Sequence, residues 1–240
     1  MRIHHFFVSA TVVAAVWGGA VHAQSFEAPK LDIGDKWTYS YEDMGEYRVP
    51  YTYTNQVFKA DGESGWLYGE SQAPQPWRKS WVMRYDFQRG GVTEFFEYNA
   101  PSRSNPHPVQ PGHRYSERLA MDDDIQYPLF VGKTYTVDWP AVDGSSAFQF
   151  DVTVEAFEKV TTPAGQFDAY KLKFAGHWQR VIGTERYIGS ARRVSWVAPA
   201  VKRIVRTEYQ DRNIYNNLSN RSVEELVKWE PKAPVPADIQ

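Results

Sequence analysis

The sequence predicts an all-β protein of curved antiparallel sheet, either a half-barrel or a β-sandwich. Apolar residues recur at every second position in one run after another. Turns bearing Gly and Pro separate these runs at short intervals. Beyond the amino terminus no segment carries a convincing helical periodicity.

The alternation is clearest in two places. Trp81, Met83, Tyr85 and Phe87 point one way, and Val82, Arg84, Asp86 and Gln88 the other. Phe148, Phe150, Val152 and Val154 likewise alternate with Gln149, Asp151, Thr153 and Glu155. One face is then buried and one wet, as in antiparallel sheets. Val201, Arg203, Val205 and Thr207 repeat the pattern less decisively. Further strand-like runs cover 36–41, 51–59, 65–70, 92–98, 133–139 and 167–175. The run 222–229 (SVEELVKW) fits a helix face through Val223, Leu226 and Val227, and a strand through Val223, Val227 and Trp229; the strand is favoured.

The turns have a mechanism. Asp61-Gly62 and Gly90-Gly91 supply the positive φ that tight hairpins need. Pro163-Ala164-Gly165 fixes φ at the proline and frees it at the glycine. Gly183-Thr184 turns the run 178–182 into 186–188.

Five stretches follow. Residues 1–23 read as a signal peptide: Arg2, His4 and His5 precede an apolar core, and Val21-His22-Ala23 is a cleavage box. Residues 24–98 form an N-terminal β unit, and 99–127 a linker too rich in proline for a central strand. Residues 128–230 form a C-terminal β unit, and 231–240 an extended, mobile tail. The halves echo each other where LDIGDKWTY (31–39) matches LFVGKTY (129–135). A duplicated β unit is one reading of this echo, and a commonplace strand lead-in the other.

With no cysteine, lipid anchoring at the cleavage site, disulfides and Cys-ligated metals are excluded. The mature chain of 217 residues is long enough to be stable through its core alone. It carries 26 basic against 29 acidic residues, or −3, which argues against a nucleic-acid binder. The cluster Arg192, Arg193, Lys202, Arg203 and Arg206 reads as a solvated outer sheet face.

Chemistry-bearing patterns are sparse. The mature chain has His107, His113 and His177, none paired at metal-ligand spacing. Asp122-Asp123-Asp124 lacks the spacing of a calcium loop and reads as a solvated turn. Nucleophile elbows and phosphate-binding glycine loops are absent. Asp151, Glu155 and Asp168 read as ordinary surface acids.

The stretch 161–174 (TTPAGQFDAYKLKF), the corner Trp196-x-Ala198-Pro199 and the restart at Val201-Lys202 resemble a secreted bacterial family, domain-of-unknown-function family 3108. The lead-in Pro128-Leu129, Val131-Gly132-Lys133 adds to the resemblance, which covers about residues 128–210. It implies a curved antiparallel sheet in the cell envelope and carries over no catalytic residue. The chain departs at Ala200 and Lys202, where the family's corner has glycines, which puts the tightness of the corner in question. Related-looking half-barrels in lipoprotein carriers hold acyl chains under a helical lid, and this sequence shows no clear lid helix.

The expectation is an exported, non-catalytic module, periplasmic or secreted, that binds or carries an apolar or envelope ligand. A structural or protein-interaction factor of the envelope is the alternative, and a hydrolase the least favoured. Expected partners are an apolar small molecule or lipid, or an envelope protein, with no nucleic acid, cofactor, metal or membrane span. The candidate ligand-binding aromatics are Trp66, Tyr68, Trp81, Tyr85, Trp139, Phe148, Phe150 and Trp178; the competing reading of each is core filling.

Overall fold

The structure, a computed structural model, describes residues 25–43, 50–73, 80–87, 91–98, 125–140, 146–237 and 239, with 91, 95–98, 139, 140 and 146 described by their backbone. The expected signal peptide, the Gly90 turn, the Pro-rich segment through 124 with its two histidines, and the triple-Asp run lie outside the described residues.

The all-β expectation holds. Among the described residues there are eleven strands: β1 (Lys36–Asp43), β2 (Tyr51–Ala60), β3 (Ser64–Ser71), β4 (Ser80–Asp86), β5 (Gly91–Tyr98), β6 (Thr134–Pro140), β7 (Ser146–Thr162), β8 (Gly165–Ile182), β9 (Glu185–Ala198), β10 (Arg203–Asn213) and β11 (Leu218–Glu230). All belong to one open antiparallel sheet in the order β5-β4-β3-β2-β1-β11-β10-β9-β8-β7-β6. A sandwich of two separate sheets is thereby replaced by a single continuous one. β1–β5 and β6–β11 run as two meanders, joined where β1 and β11 pair from Lys36↔Glu230 to Asp43↔Ser222. The ambiguous run 222–229 is a strand, as favoured.

The sheet curls strongly. The amide of Ala164, in the β7–β8 turn, donates to the carbonyl of Leu226 on β11 at 3.1 Å, although β9 and β10 lie between those strands. Only a tightly curved sheet brings such strands together. The enclosed face carries two apolar clusters. One gathers Trp37, Tyr39, Val57, Leu67, Met83 and Leu226 with Val160 and Ala169 from the β7–β8 tip. The other gathers Phe150, Val152, Leu172, Phe174 and Val197 with Leu129 and Ile125. Ile125 and the half-buried Tyr127, placed by the sequence in the linker, therefore pack on the interior, while Gln126 between them is exposed. The segment continues to Leu129, which pairs with Phe26 through two backbone bonds of 2.8 Å.

The echo between the halves is present in the backbone. Gly34 and Gly132 adopt φ of 91° and 93°. Each donates its N–H to a strand partner, Gly34 to Val57 at 2.8 Å and Gly132 to Val154 at 2.9 Å. Each partner's N–H returns to the residue after the glycine, Asp35 or Lys133, at 2.9 Å. Glycine suits this αL position because it has no Cβ to clash. At Gly34 a Cβ would also sit 2.6 Å from the carbonyl oxygen of Ala233.

That contact corrects the expectation of a mobile tail. Ala233 N–H donates to the Gly34 carbonyl at 2.9 Å, and Gln56 Nε2 donates to the carbonyls of Ala233 and Pro234. The tail is thereby anchored over the start of β1.

The Trp196–Pro199 corner closes as a 3-10 turn over Pro199–Val201, and Lys202 takes φ of 63° where the family resemblance expects glycine. Lys202 Nζ reaches Asp32 Oδ2 at 2.6 Å and the buried Asp35 Oδ2 at 2.9 Å. Trp37 Nε1 donates to the Val201 carbonyl at 2.8 Å, and the Tyr39 hydroxyl to that of Ile204 at 2.9 Å. The corner is tight, and side-chain bonds to the start of β1 hold it where a glycine would have relaxed it.

Candidate binding site

The seven members of the expected aromatic set whose side chains are described divide into three groups. Trp66 and Tyr68 do not join Trp81 and Tyr85. The register Trp66↔Arg84 and Tyr68↔Val82 places both on the opposite face of the sheet from Gly65↔Tyr85 and Gly69↔Trp81. The expectation that they line the same face is corrected, and the reason is the strand period of two. Arg84 lies 5.9 Å from the Trp66 ring instead.

Trp81, Tyr85 and Phe150 fill core. Trp81 Nε1 donates to Asn55 Oδ1 at 2.8 Å, and its ring covers Gly69 so closely that a Cβ there would lie 1.9 Å from Nε1. Phe150 stacks on Phe148 at 6.1 Å and meets Phe174 edge-on at 6.2 Å. Beside Tyr39, Tyr53, Tyr85 and Tyr127 the remaining space is about 10 Å3, at the lower limit for one water. The interior beneath β1–β4 is closed to a ligand there. The side chain of Trp139 lies outside the described residues.

Phe148 and Trp178 remain, and the structure brings them together. β7, β8 and β9 are long, and their ends run past the enclosed core. There a cavity of about 840 Å3 opens between β6–β9 and the loop after β10. Its lining includes an aromatic cross-strand row, Phe148↔Trp178↔Gly189, and the next row along the strand ends, Gln149↔His177↔Ser190, whose side chains the strand period turns to the other face. Ile188, Ile214, Asn213 and Asn216 complete its rim. The volume is that of a small-molecule site, and the mixture of apolar wall and few polar groups is typical of one.

Backbone geometry shapes this wall. Gly189 lies under the Trp178 ring: a Cβ there would sit 2.5 Å from the indole and 2.1 Å from the Arg212 carbonyl oxygen. Only glycine lets β8, β9 and β10 close up with a tryptophan laid across them. Trp178 Nε1 is buried with no acceptor among the described residues.

Sequence reasoning missed Gly189, Ile188, Ile214, Asn213 and Asn216. A signal for them existed. The loop after β10 reads IYNNL and the β8 end reads VIGT, apolar residues at hairpin tips where polar ones are usual.

The basic cluster needs a second correction. Arg192 is exposed and Arg206 pairs with Glu208 and Glu225 at 2.7 and 2.8 Å, as a solvated face requires. Arg193 and Arg203 are buried. The register Arg193↔Tyr209 and Arg193↔Phe174 turns Arg193 inward, its guanidinium 3.7 Å from the Phe174 ring centre. Arg203 lies over Trp37 at 5.2 Å. Both are cation–π contacts in the interior, where desolvation strengthens them.

The three acids read as surface residues do not share a site. Glu155 pairs with Lys171 and Lys173, Asp168 pairs with Lys159, and Asp151 accepts from Thr136. Such surface pairs are worth about 0–1 kcal/mol each. Among the described residues no group of three or more His, Asp or Glu is placed to hold a metal, and no helix is long and apolar enough to cross a membrane.

No family model matches the chain, and no curated protein matches it. Solved structures that resemble it include a protein described as a lipoprotein from Parabacteroides distasonis, 17% identical, with TM-score 0.44. Another is an exported protein with a YmcC-like fold from Bacteroides fragilis, 16% identical, with TM-score 0.46. Each likeness covers 86% of this chain and 100% of the other. Likeness at this level says nothing of function.

Proposed function

We propose that the chain is an exported, non-catalytic binding module that takes an acyl chain or similar apolar ligand into the cavity beside Phe148 and Trp178. The observation that carries this reading is the cavity itself, about 840 Å3 with an aromatic wall. An apolar body would lie beside Phe148 and Trp178. A polar head would meet Asn213, in register with Gly189 at the rim. Export rests on the amino-terminal sequence, and kinship with family 3108 on the turn and strand residues quoted above.

The test is mass spectrometry of an organic extract from protein purified without detergent, with thermal shifts on adding fatty acids and phospholipids. A co-purified lipid, or a rise in Tm with one lipid class, supports the proposal. A clean extract and an unmoved Tm overturn it.

A further inference from the structure

Of the eleven exposed large apolar side chains among the described residues, seven lie on two adjoining hairpin tips at the cavity end of the sheet. Val181, Ile182, Tyr187 and Ile188 belong to the β8–β9 tip, with Ile182 58% exposed. Ile214, Tyr215 and Leu218 belong to the β10–β11 tip, with Ile214 61% and Tyr215 77% exposed. The pair Gly189↔Asn213 sets the tips side by side. The β8–β9 tip continues from Gly189 to Glu185, about 13 Å beyond that last pair with β10.

The charge around these tips leans to the basic side. Arg180, Arg186, Arg192, Arg212 and Arg221 stand there against Glu185, Asp211, Asp138 and Asp43. Glu185 accepts from the Tyr187 hydroxyl, and Asp211 from that of Tyr209 at 3.0 Å. The chain as a whole is at −2, so this end reverses the sign of the molecule.

We propose that the two tips form a membrane-contacting surface that seats on an anionic lipid bilayer. Aliphatic side chains at the extremity enter the interface, the tyrosines sit at headgroup level, and the arginine collar meets lipid phosphates. The reach of the β8–β9 tip slightly exceeds the roughly 5–10 Å to which interfacial elements embed. A protein partner would use the apolar tips equally well, but the arginine excess favours an anionic surface. The proposal is separate from the cavity reading, since a protein could do either without the other.

The experiment is flotation of the mature chain with vesicles of phosphatidylethanolamine and phosphatidylglycerol, against vesicles of phosphatidylcholine alone. The expected result is co-flotation with the anionic vesicles that weakens as salt is raised. The double variant Ile182→Ser, Tyr215→Ser should weaken it by about tenfold or more, because two apolar side chains leave the lipid. Arg186→Gln with Arg221→Gln should weaken it on anionic vesicles with a flatter salt dependence. All four residues are exposed, so the urea midpoint is expected to hold, and any co-purified cavity lipid should remain. Absence of flotation with the anionic vesicles, or flotation indifferent to the tip variant, overturns the proposal. So does a tip variant that floats normally yet loses a cross-linked protein partner.

Discussion

Lys202 offers a sharp perturbation, because two opposing terms meet in one residue. Its φ of 63° lies in the left-handed region, which costs a residue with a Cβ about 1–2 kcal/mol. Against this, its ammonium pairs with Asp35, whose side chain is 2% exposed. Removing one partner of a fully buried pair costs about 3–5 kcal/mol. Lys202 is itself 26% exposed and Asp35 keeps the N–H of Asp32 at 2.9 Å, so a cost at or just below the bottom of that range, about 2–3 kcal/mol, applies here. Lys202→Ala keeps the backbone strain and loses the pair, for a net loss of about 2–3 kcal/mol. Lys202→Gly loses the pair but regains about 1 kcal/mol of strain, for a net loss of about 1–2 kcal/mol. Urea unfolding of the three proteins at neutral pH, with m constant, reads both numbers. A glycine variant more stable than the parent by about 1 kcal/mol would show that the ion pair contributes nothing. Equal midpoints for glycine and alanine would show that the left-handed backbone carries no strain.

Other outcomes follow from the same structure. Gly69→Ala drives a Cβ to within 1.9 Å of Trp81 Nε1 and 2.6 Å of Asn55 Oδ1; the expected loss is about 2–3 kcal/mol with a changed near-UV spectrum, and an unaltered midpoint would contradict the packing described. Lys202 bonding holds Asp32 below the usual carboxylate range, and Lys173 and Lys171 do the same for Glu155. Below about pH 4 the unfolded chain therefore binds protons first, so stability falls as pH falls there; a urea midpoint that rises in that window refutes the sign. Burial instead raises Asp211, so its ionisation destabilises the fold above the ordinary carboxylate range, and Asp211→Asn should flatten that limb of the curve. Trp178→Ala removes part of the cavity wall and is expected to weaken fatty-acid binding about tenfold or more; unchanged affinity in a fluorescence titration would place the ligand elsewhere.

Much of the sheet could be read from the chain because its cause is local. Alternation at Trp81–Phe87 and Phe148–Val154 fixes which side chains share a face, and Pro163-Ala164-Gly165 and Gly183-Thr184 fix where hairpins turn. What joins distant parts was not legible. The pairing of β1 with β11 depends on residues almost the whole chain apart, and so does the curl that brings Ala164 to Leu226. Arg193 looked like a surface residue because its charge suggested water, whereas its register with Tyr209 turns it onto Phe174. Trp66 and Tyr68 were grouped with Trp81 and Tyr85 by residue type, yet strand parity separates them. The cavity escaped notice because its floor is Gly189, a residue whose importance lies in the side chain it lacks.

The most direct test of the binding account is native mass spectrometry of the mature chain released from cells without detergent. The account predicts a bound population heavier by one lipid, which falls away in Trp178→Ala while the fold persists. A single bare-mass species that takes up no fatty acid or phospholipid on titration would contradict it.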